Sequence, residues 1–341
     1  MGLPDVRHIG ALESLRFIFI FLIFVSHFSW NGSGFWDAGG DCGVSFFFIL
    51  SGFVLSLSGR TLSGGYGDYM LRRMKRVYPV HLLALLLAFV CVPWCFDMLN
   101  TVLSLLLLQS WVPWKDVYFG ANAVSWFLSD LVLCYIAFPW LKRGVFGMRG
   151  MVLLAAVMAV AALYVMVVPM VPADRVNWLL YVFPPLRMID FCLGICTARL
   201  FMWIHSKGAA MSAVCATAVE ISAIALLCAA FAVYRYVPEG YATASLFWLP
   251  CAGVILAFAV GDFSSGVAGR ILRWRVLLWL GAISFEFYLV HVSVIGLLGR
   301  VCRHYCVDLP WGCAFLTAFT LSVAVAWGLK RLVGIVSPRH D

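Results

Sequence analysis

Charged side chains are scarce in this sequence: Asp, Glu, Lys and Arg supply 12% of 341 residues, while 64% are hydrophobic and the mean hydropathy is +0.98. That balance excludes a water-soluble globular domain. The net charge of +8 is spread along the edges of the apolar runs, which excludes a nucleic-acid footprint and ties it to a membrane. No polar linker, internal repeat or low-complexity stretch divides the chain, so a single integral bundle over 1–341 is expected in place of the two domains that length alone suggests. Twelve Cys are present, yet Cys91/Cys95, Cys192/Cys196 and Cys302/Cys306 stand four apart and none has the CxxC spacing of redox or zinc sites. Cys302, His304 and Cys306 lack a fourth ligand, so no metal is expected. The first apolar run is followed by no small-residue cleavage site and is read as retained.

What is present is a series of apolar runs near the ~20 residues that cross a bilayer. They cover roughly 14–30, 41–58, 77–95, 122–141, 150–170, 179–202, 211–234, 242–261, 275–299 and 308–329. Met98–Val112 is shorter and ends in Gln-Ser-Trp-Val-Pro-Trp. If it does not cross, seventeen Lys and Arg fall on the side of the two termini and five on the other; if it crosses, the basic loops are split. The positive-inside rule selects the first arrangement. The fold class expected is therefore an all-α polytopic membrane protein of about ten transmembrane helices, N-in and C-in, in the cell (inner or plasma) membrane. Residues 98–112 form an outer-side re-entrant or interfacial segment in this reading.

Ionisable groups within hydrocarbon are costly unless they face a cavity or a partner, so they are the first candidates for function. Arg16 and His27 share the first span, and eleven residues is close to three turns, which puts both on nearly one face. Neutral His is suited to taking a proton from a hydroxyl near pH 7. Arg72, Arg73, Lys75 and Arg76 precede the third span and read either as a topology signal or as a clamp for phosphates, to which the planar guanidinium is suited. Ser51 and Gly52 lie within the second span, with Gly52 read as a close helix contact. Trp126 and Ser129 open the fourth span beside Asp130; Arg187 and Asp190, three apart, read as an ion pair. Tyr288 and His291 share a face of the ninth span, from which Glu286 points away toward another helix. Glu220 has no evident partner.

These residues together give the chain a resemblance to the acyltransferase 3 family of integral membrane acyltransferases. The resemblance extends over nearly the whole chain. It rests on Arg16-x10-His27, Phe46-Phe-Phe-Ile-Leu-Ser-Gly-Phe53, Arg72-Arg73-x-x-Arg76-x-x-Pro79, Trp126-Phe-Leu-Ser129 with Tyr135 and Pro139, Arg187-x-x-x-Phe191-x-x-Gly194, and Gly281-x-x-Ser284-x-x-x-Tyr288-Leu-x-His291. Many members carry Trp-Ser-Leu-Ser-Val-Glu where this chain has Trp126-Phe-Leu-Ser-Asp130, so no catalytic Glu is carried over and Asp130 is not put in its place. No appended extracellular hydrolase-like domain is expected.

The resemblance implies an O-acyltransferase that moves an acyl group, acetyl above all, from acyl-CoA to a hydroxyl of a cell-surface or exported carbohydrate, in company with polysaccharide biosynthesis machinery. It implies that Arg72, Arg73 and Arg76 hold the donor, that Arg16 assists, and that His27 is the base or, in a second mechanism, the carrier of a covalent acyl group. Ser51, Trp126, Ser129, Tyr288 and His291 form the acceptor pocket or its support. The rival readings are a transporter or flippase, whose paired broken repeats are missing here, and a non-catalytic membrane scaffold.

Overall fold

The structure, a computed structural model, describes residues 9–31, 36–58, 64–93, 96–207, 211–261 and 266–336. Both chain ends, part of the basic loop around 59–63, and Cys95 lie outside the described residues, and with them the sidedness expected for the termini. The described chain is helical, without strands. The helices are α1 (Gly10–His27), α2 (Asp37–Leu57), α3 (Gly65–Cys91), α4 (Met98–Leu105), α5 (Lys115–Tyr118) and α6 (Trp126–Gly147). Then come α7 (Gly150–Val167), α8 (Ala173–Val176), α9 (Pro184–Ser206), α10 (Ala213–Val233) and α11 (Glu239–Ala242). The chain closes with α12 (Ser245–Gly261), α13 (Val267–Leu272), α14 (Arg275–Ala282), α15 (Ser284–His304) and α16 (Trp311–Val336).

Nine helices among the described residues are long and apolar enough to cross a membrane, which makes this a multi-pass membrane protein. The remaining expected span corresponds to α6, 22 residues long but carrying Asp130, Lys142 and Arg143. Two of its charges are turned into the protein and away from lipid: Asp130 is fully buried, and Lys142 Nζ donates to the Ser56 carbonyl at 2.8 Å. The run expected over 275–299 is broken at Ile283 into α14 and α15.

Burial ranks the helices by depth. Of the apolar stretch of α2, 83% is buried, against 11% for Gly150–Met170, so α2 is the centre of the bundle and α7 faces lipid. Two apolar cores meet on α1 and α2: one joins them to α3, α6, α15 and α16, the other to α9, α10 and α12. The first is rich in aromatic edges, with Phe21, Phe24, Phe287 and Phe315 meeting Phe319 or each other at centroid distances of 5.3–6.2 Å.

The contact of α2 with α9 is made by glycine. A Cβ on Gly52 would strike the Phe191 carbonyl, and one on Gly194 would strike the Ile49 carbonyl and Phe53 amide. Backbone cannot yield as a side-chain tip can. Gly194→Ala is therefore expected to cost about 1–3 kcal/mol, read as a lower melting temperature in detergent. Gly253→Ala on α12, where a Cβ meets nothing within 4 Å, serves as its neutral control.

The 98–112 segment holds α4, eight residues long, then Leu107 at φ 54° and a 3-10 turn at Gln109–Trp111. At about 1.5 Å per residue α4 is some 12 Å long, under half a bilayer core. It is pinned to α3 and α6 by polar contacts: Tyr78 Oη donates to the Leu105 carbonyl at 2.9 Å, His81 Nε2 to the Ser104 carbonyl at 2.9 Å, Gln109 Nε2 to Ser125 Oγ at 3.1 Å and Ser110 Oγ to Ser129 Oγ at 2.6 Å.

Candidate active site

A cavity of about 840 Å³ opens among α1, α2, α3, α6, α14, α15 and α16. Four cations, Arg16, Arg73, Arg76 and Lys330, face two carboxylates, Glu13 and Glu286, on its walls. The volume is within the ~300–1,000 Å³ range of small-molecule and cofactor sites. Its upper walls are apolar, from Ile23, Val44, Phe47, Phe127 and Leu131. A site that is cationic at one end and apolar along its length fits a ligand of the same pattern.

Several of the sequence candidates converge here. Arg16 stands on the wall in an ion pair of 2.6 Å with Glu13, three residues earlier on α1. Arg73 lies over the Tyr69 ring at 5.6 Å, and its Nε is buried without a hydrogen-bond partner, so a donor is available. Ser51 lines the cavity while its Oγ donates back to the Phe47 carbonyl at 2.7 Å. Tyr288 lines it too and donates to the Val124 carbonyl at 2.8 Å. Arg72, by contrast, is exposed and lines no part of it.

Trp126 and Ser129 are also absent from the walls. Trp126 packs its ring 5.0 Å from Tyr181, in the stretch before α9, while Ser129 accepts from Ser110 and so ties the 98–112 segment to α6. Glu286 differs from expectation in the other direction. It lies on the cavity wall because the α14–α15 break at Ile283 makes the start of α15 the end of the cavity, exposing more than one helix face to it. Lys330 was missed in the sequence, where it reads only as a topology charge; it donates to the Ala282 carbonyl. Arg187 pairs with Asp190 as expected, at 3.4 Å, but away from this cavity. Glu220 is explained by structure: its carboxylate accepts from the Ala268 and Gly269 amides at 3.0 and 3.2 Å, joining α10 to α13. Among the described residues no three His, Cys, Asp or Glu side chains are placed to hold a metal ion.

His27 and His291 meet just beyond the cavity. Ile23, one turn before His27, and Tyr288, three residues before His291, are on its walls. His27 Nδ1 is 2.8 Å from His291 Nε2, and His291 Nδ1 is 2.7 Å from the Tyr288 carbonyl and 3.3 Å from that of Phe287. A carbonyl only accepts, so the proton of the His291 ring is on Nδ1 and its Nε2 has the lone pair. With both rings neutral, His27 then donates from Nδ1. The chain of bonds leaves His27 Nε2 unprotonated, the form that a general base requires. Phe24 and Phe287 flank His291 at 6.2 and 5.9 Å and fix its ring.

The sequence profile of the acyltransferase 3 family, described as an acyltransferase domain, matches residues 9–331. Acyltransferase MdmB of Streptomyces mycarofaciens is 33% identical over 280 residues, 75% of this chain and 68% of the relative. The putative peptidoglycan O-acetyltransferase YrhL of Bacillus subtilis is 27% identical over 323 residues, 85% of this chain but 49% of the relative, so the chain spans about half of that protein. No solved structure matches the chain.

Proposed function

The chain belongs to the acyltransferase 3 family and is an enzyme that transfers acyl groups, and from that premise we propose that it moves an acetyl group from acetyl-CoA to a sugar hydroxyl of a surface or exported glycan. The observation that carries this reading is the His27 Nδ1–His291 Nε2 contact of 2.8 Å just beyond a cavity with Arg16, Arg73, Arg76 and Lys330 on its walls, from which we assign the lone pair of neutral His27 to Nε2. Glycan as acceptor draws on the name of the Bacillus relative, and the transporter and scaffold readings give way to the family. The cationic end is assigned to the cytoplasm, where acyl-CoA is made, and the 98–112 segment to the outer side.

The guanidinium groups of Arg73 and Arg76 hold donor phosphates, and the acyl-bearing arm lies along the apolar walls toward His27. His27 Nε2 takes the proton of the acceptor hydroxyl as its oxygen attacks the thioester carbonyl; the C–O bond forms, the C–S bond breaks, and the leaving thiolate takes the proton back. His291 Nε2 accepts from His27 Nδ1 throughout and stabilises the transient imidazolium. No metal has a part in these steps.

The test is transfer of radiolabelled acetyl from acetyl-CoA to base-treated surface glycan by the purified full chain in detergent. Alkali-labile label on the glycan is the expected result, and its absence would sink the reading. Arg73→Gln and Arg76→Gln are expected to raise KM for acetyl-CoA about ten- to a hundredfold, since each removes a charge-assisted hydrogen bond of about 1.5–3 kcal/mol. An unchanged donor KM in both would remove these residues from the donor site.

A further inference from the structure

A second recess lies on the other side of the histidine pair. It is a groove of about 500 Å³ along α15, starting at Ile295, one turn beyond His291, and continuing to Cys306. Its opposite wall is the chain leaving α1, Ser29 to Asn31, directly after His27. Over Ile295–Arg303, at about 1.5 Å per residue, the α15 side is roughly 12 Å long, room for more than one sugar ring. Cavity and groove thus approach His27 and His291 from opposite ends of the bundle.

The lining of the two recesses differs. The groove has no cluster of cations; it offers the Trp30 ring, the amide of Asn31, the carboxylate of Asp308 and Arg303. Asn31 Nδ2 donates to Asp308 Oδ1 at 3.0 Å, and Trp30 Nε1 donates to the Leu309 carbonyl at 3.0 Å, so the polar rim is held in place from both walls. An aromatic face beside a fixed amide and carboxylate is chemistry for hydroxyl-bearing rings: apolar C–H faces stack, and hydroxyls donate and accept at the rim.

The floor gives an independent indication. Gly299 sits in the interior of α15, where glycine is unfavourable. A Cβ there would meet only Arg303 Nη1 at 3.4 Å and Trp30 Cζ3 at 3.8 Å, so no neighbouring backbone requires a glycine. Gly296, one turn earlier, differs: its Cβ would press on the Val92 side chain at 2.8 Å. What the missing side chain at Gly299 does is leave the groove open between Trp30 and Arg303.

We propose that this groove binds the sugar acceptor and presents its hydroxyl to His27, so that acceptor and donor reach the histidine pair from opposite sides. The proposal rests on the acyl-transfer reading above. Asp308 and Asn31 contact the acceptor, and Gly299 makes space for it.

The experiment is steady-state acyl transfer by the full chain in detergent, with acetyl-CoA and base-treated surface glycan each varied. Gly299→Leu, which fills the floor, and Asp308→Ala are expected to raise the glycan KM at least tenfold while the acetyl-CoA KM stays within twofold; Asp308→Asn, which can still accept from Asn31, restores much of the loss. Unchanged glycan KM in both variants, or equal shifts for both substrates, would overturn the groove. A measurement on the wild-type protein guards against misfolded variants: N-ethylmaleimide labelling of Cys306, exposed at the far end of the groove, read by peptide mass spectrometry. Glycan should slow that labelling and acetyl-CoA should not; no protection by glycan counts against the groove. Absence of any transfer by wild type would instead bring down the acyl-transfer reading itself, and this inference with it.

Discussion

His27→Ala is expected to lower acyl transfer by about 10²–10⁴-fold, the range that a positioned acid or base supplies, with expression and membrane insertion unchanged. His27 lies at the last turn of α1 and is only partly buried, so its loss leaves a small gap and no unpaired charge. Radiolabel transfer and the melting temperature in detergent would be measured together. Wild-type activity in the variant would end the mechanism proposed here. Its neighbour separates chemistry from packing. His291→Leu keeps bulk among Phe24 and Phe287 but leaves His27 Nδ1–H without its acceptor. His291→Gln offers an amide oxygen in its place, and should retain more of kcat than the Leu variant although both disturb the core to a similar degree.

Arg187→Ala should have its effect on the fold. The side chain is fully buried on α9, with Nε donating to the Tyr181 carbonyl at 2.6 Å, Nη2 to the Thr243 carbonyl at 3.0 Å and Nη1 to Ser45 Oγ at 3.3 Å, while the guanidinium lies 4.7 Å from the Tyr181 ring centroid. It fastens α9 to α2 and to the start of α12 in one step. Removing it leaves Asp190 buried without a counter-charge, a loss of about 3–5 kcal/mol. Poor yield from membranes and a large fall in melting temperature are the expected readings. Pairing the change with Asp190→Asn should recover part of that stability, because the stranded charge is gone; a double variant as unstable as the single would show that the hydrogen bonds and packing, not the charge, dominate.

The parts of this molecule that were legible in the sequence are those written in local spacing. Arg16 reads as facing inward because its run is otherwise Phe, Ile and Leu, and it is found on the cavity wall. Arg73 and Arg76, three apart on one helix face, arrive there together. What depended on distant partners was hidden. His27 and His291 are 264 residues apart, and only their meeting fixes which nitrogen bears the proton. Lys330 acquires meaning from the Ala282 carbonyl and the cavity beside it. The break at Ile283 lies within a run that is apolar on both sides, so neither the division into α14 and α15 nor the place of Glu286 could be read from hydropathy. Trp126 and Ser129 show the reverse: their burial was foreseeable, but not that Trp126 would pack on Tyr181 and Ser129 accept from Ser110 of the 98–112 segment, both off the cavity walls.

The glycine seam between α2 and α9 has a bearing on turnover. Two backbones interlocked in this way cannot slide without driving carbonyls into Cα atoms, so α2 and α9 behave as a stator. The cavity, however, is bounded by α2 on one side only and by α1, α3, α6, α14, α15 and α16 elsewhere. Any widening of the cavity is therefore left to wall helices outside that seam, α3, α15 and α16 among them.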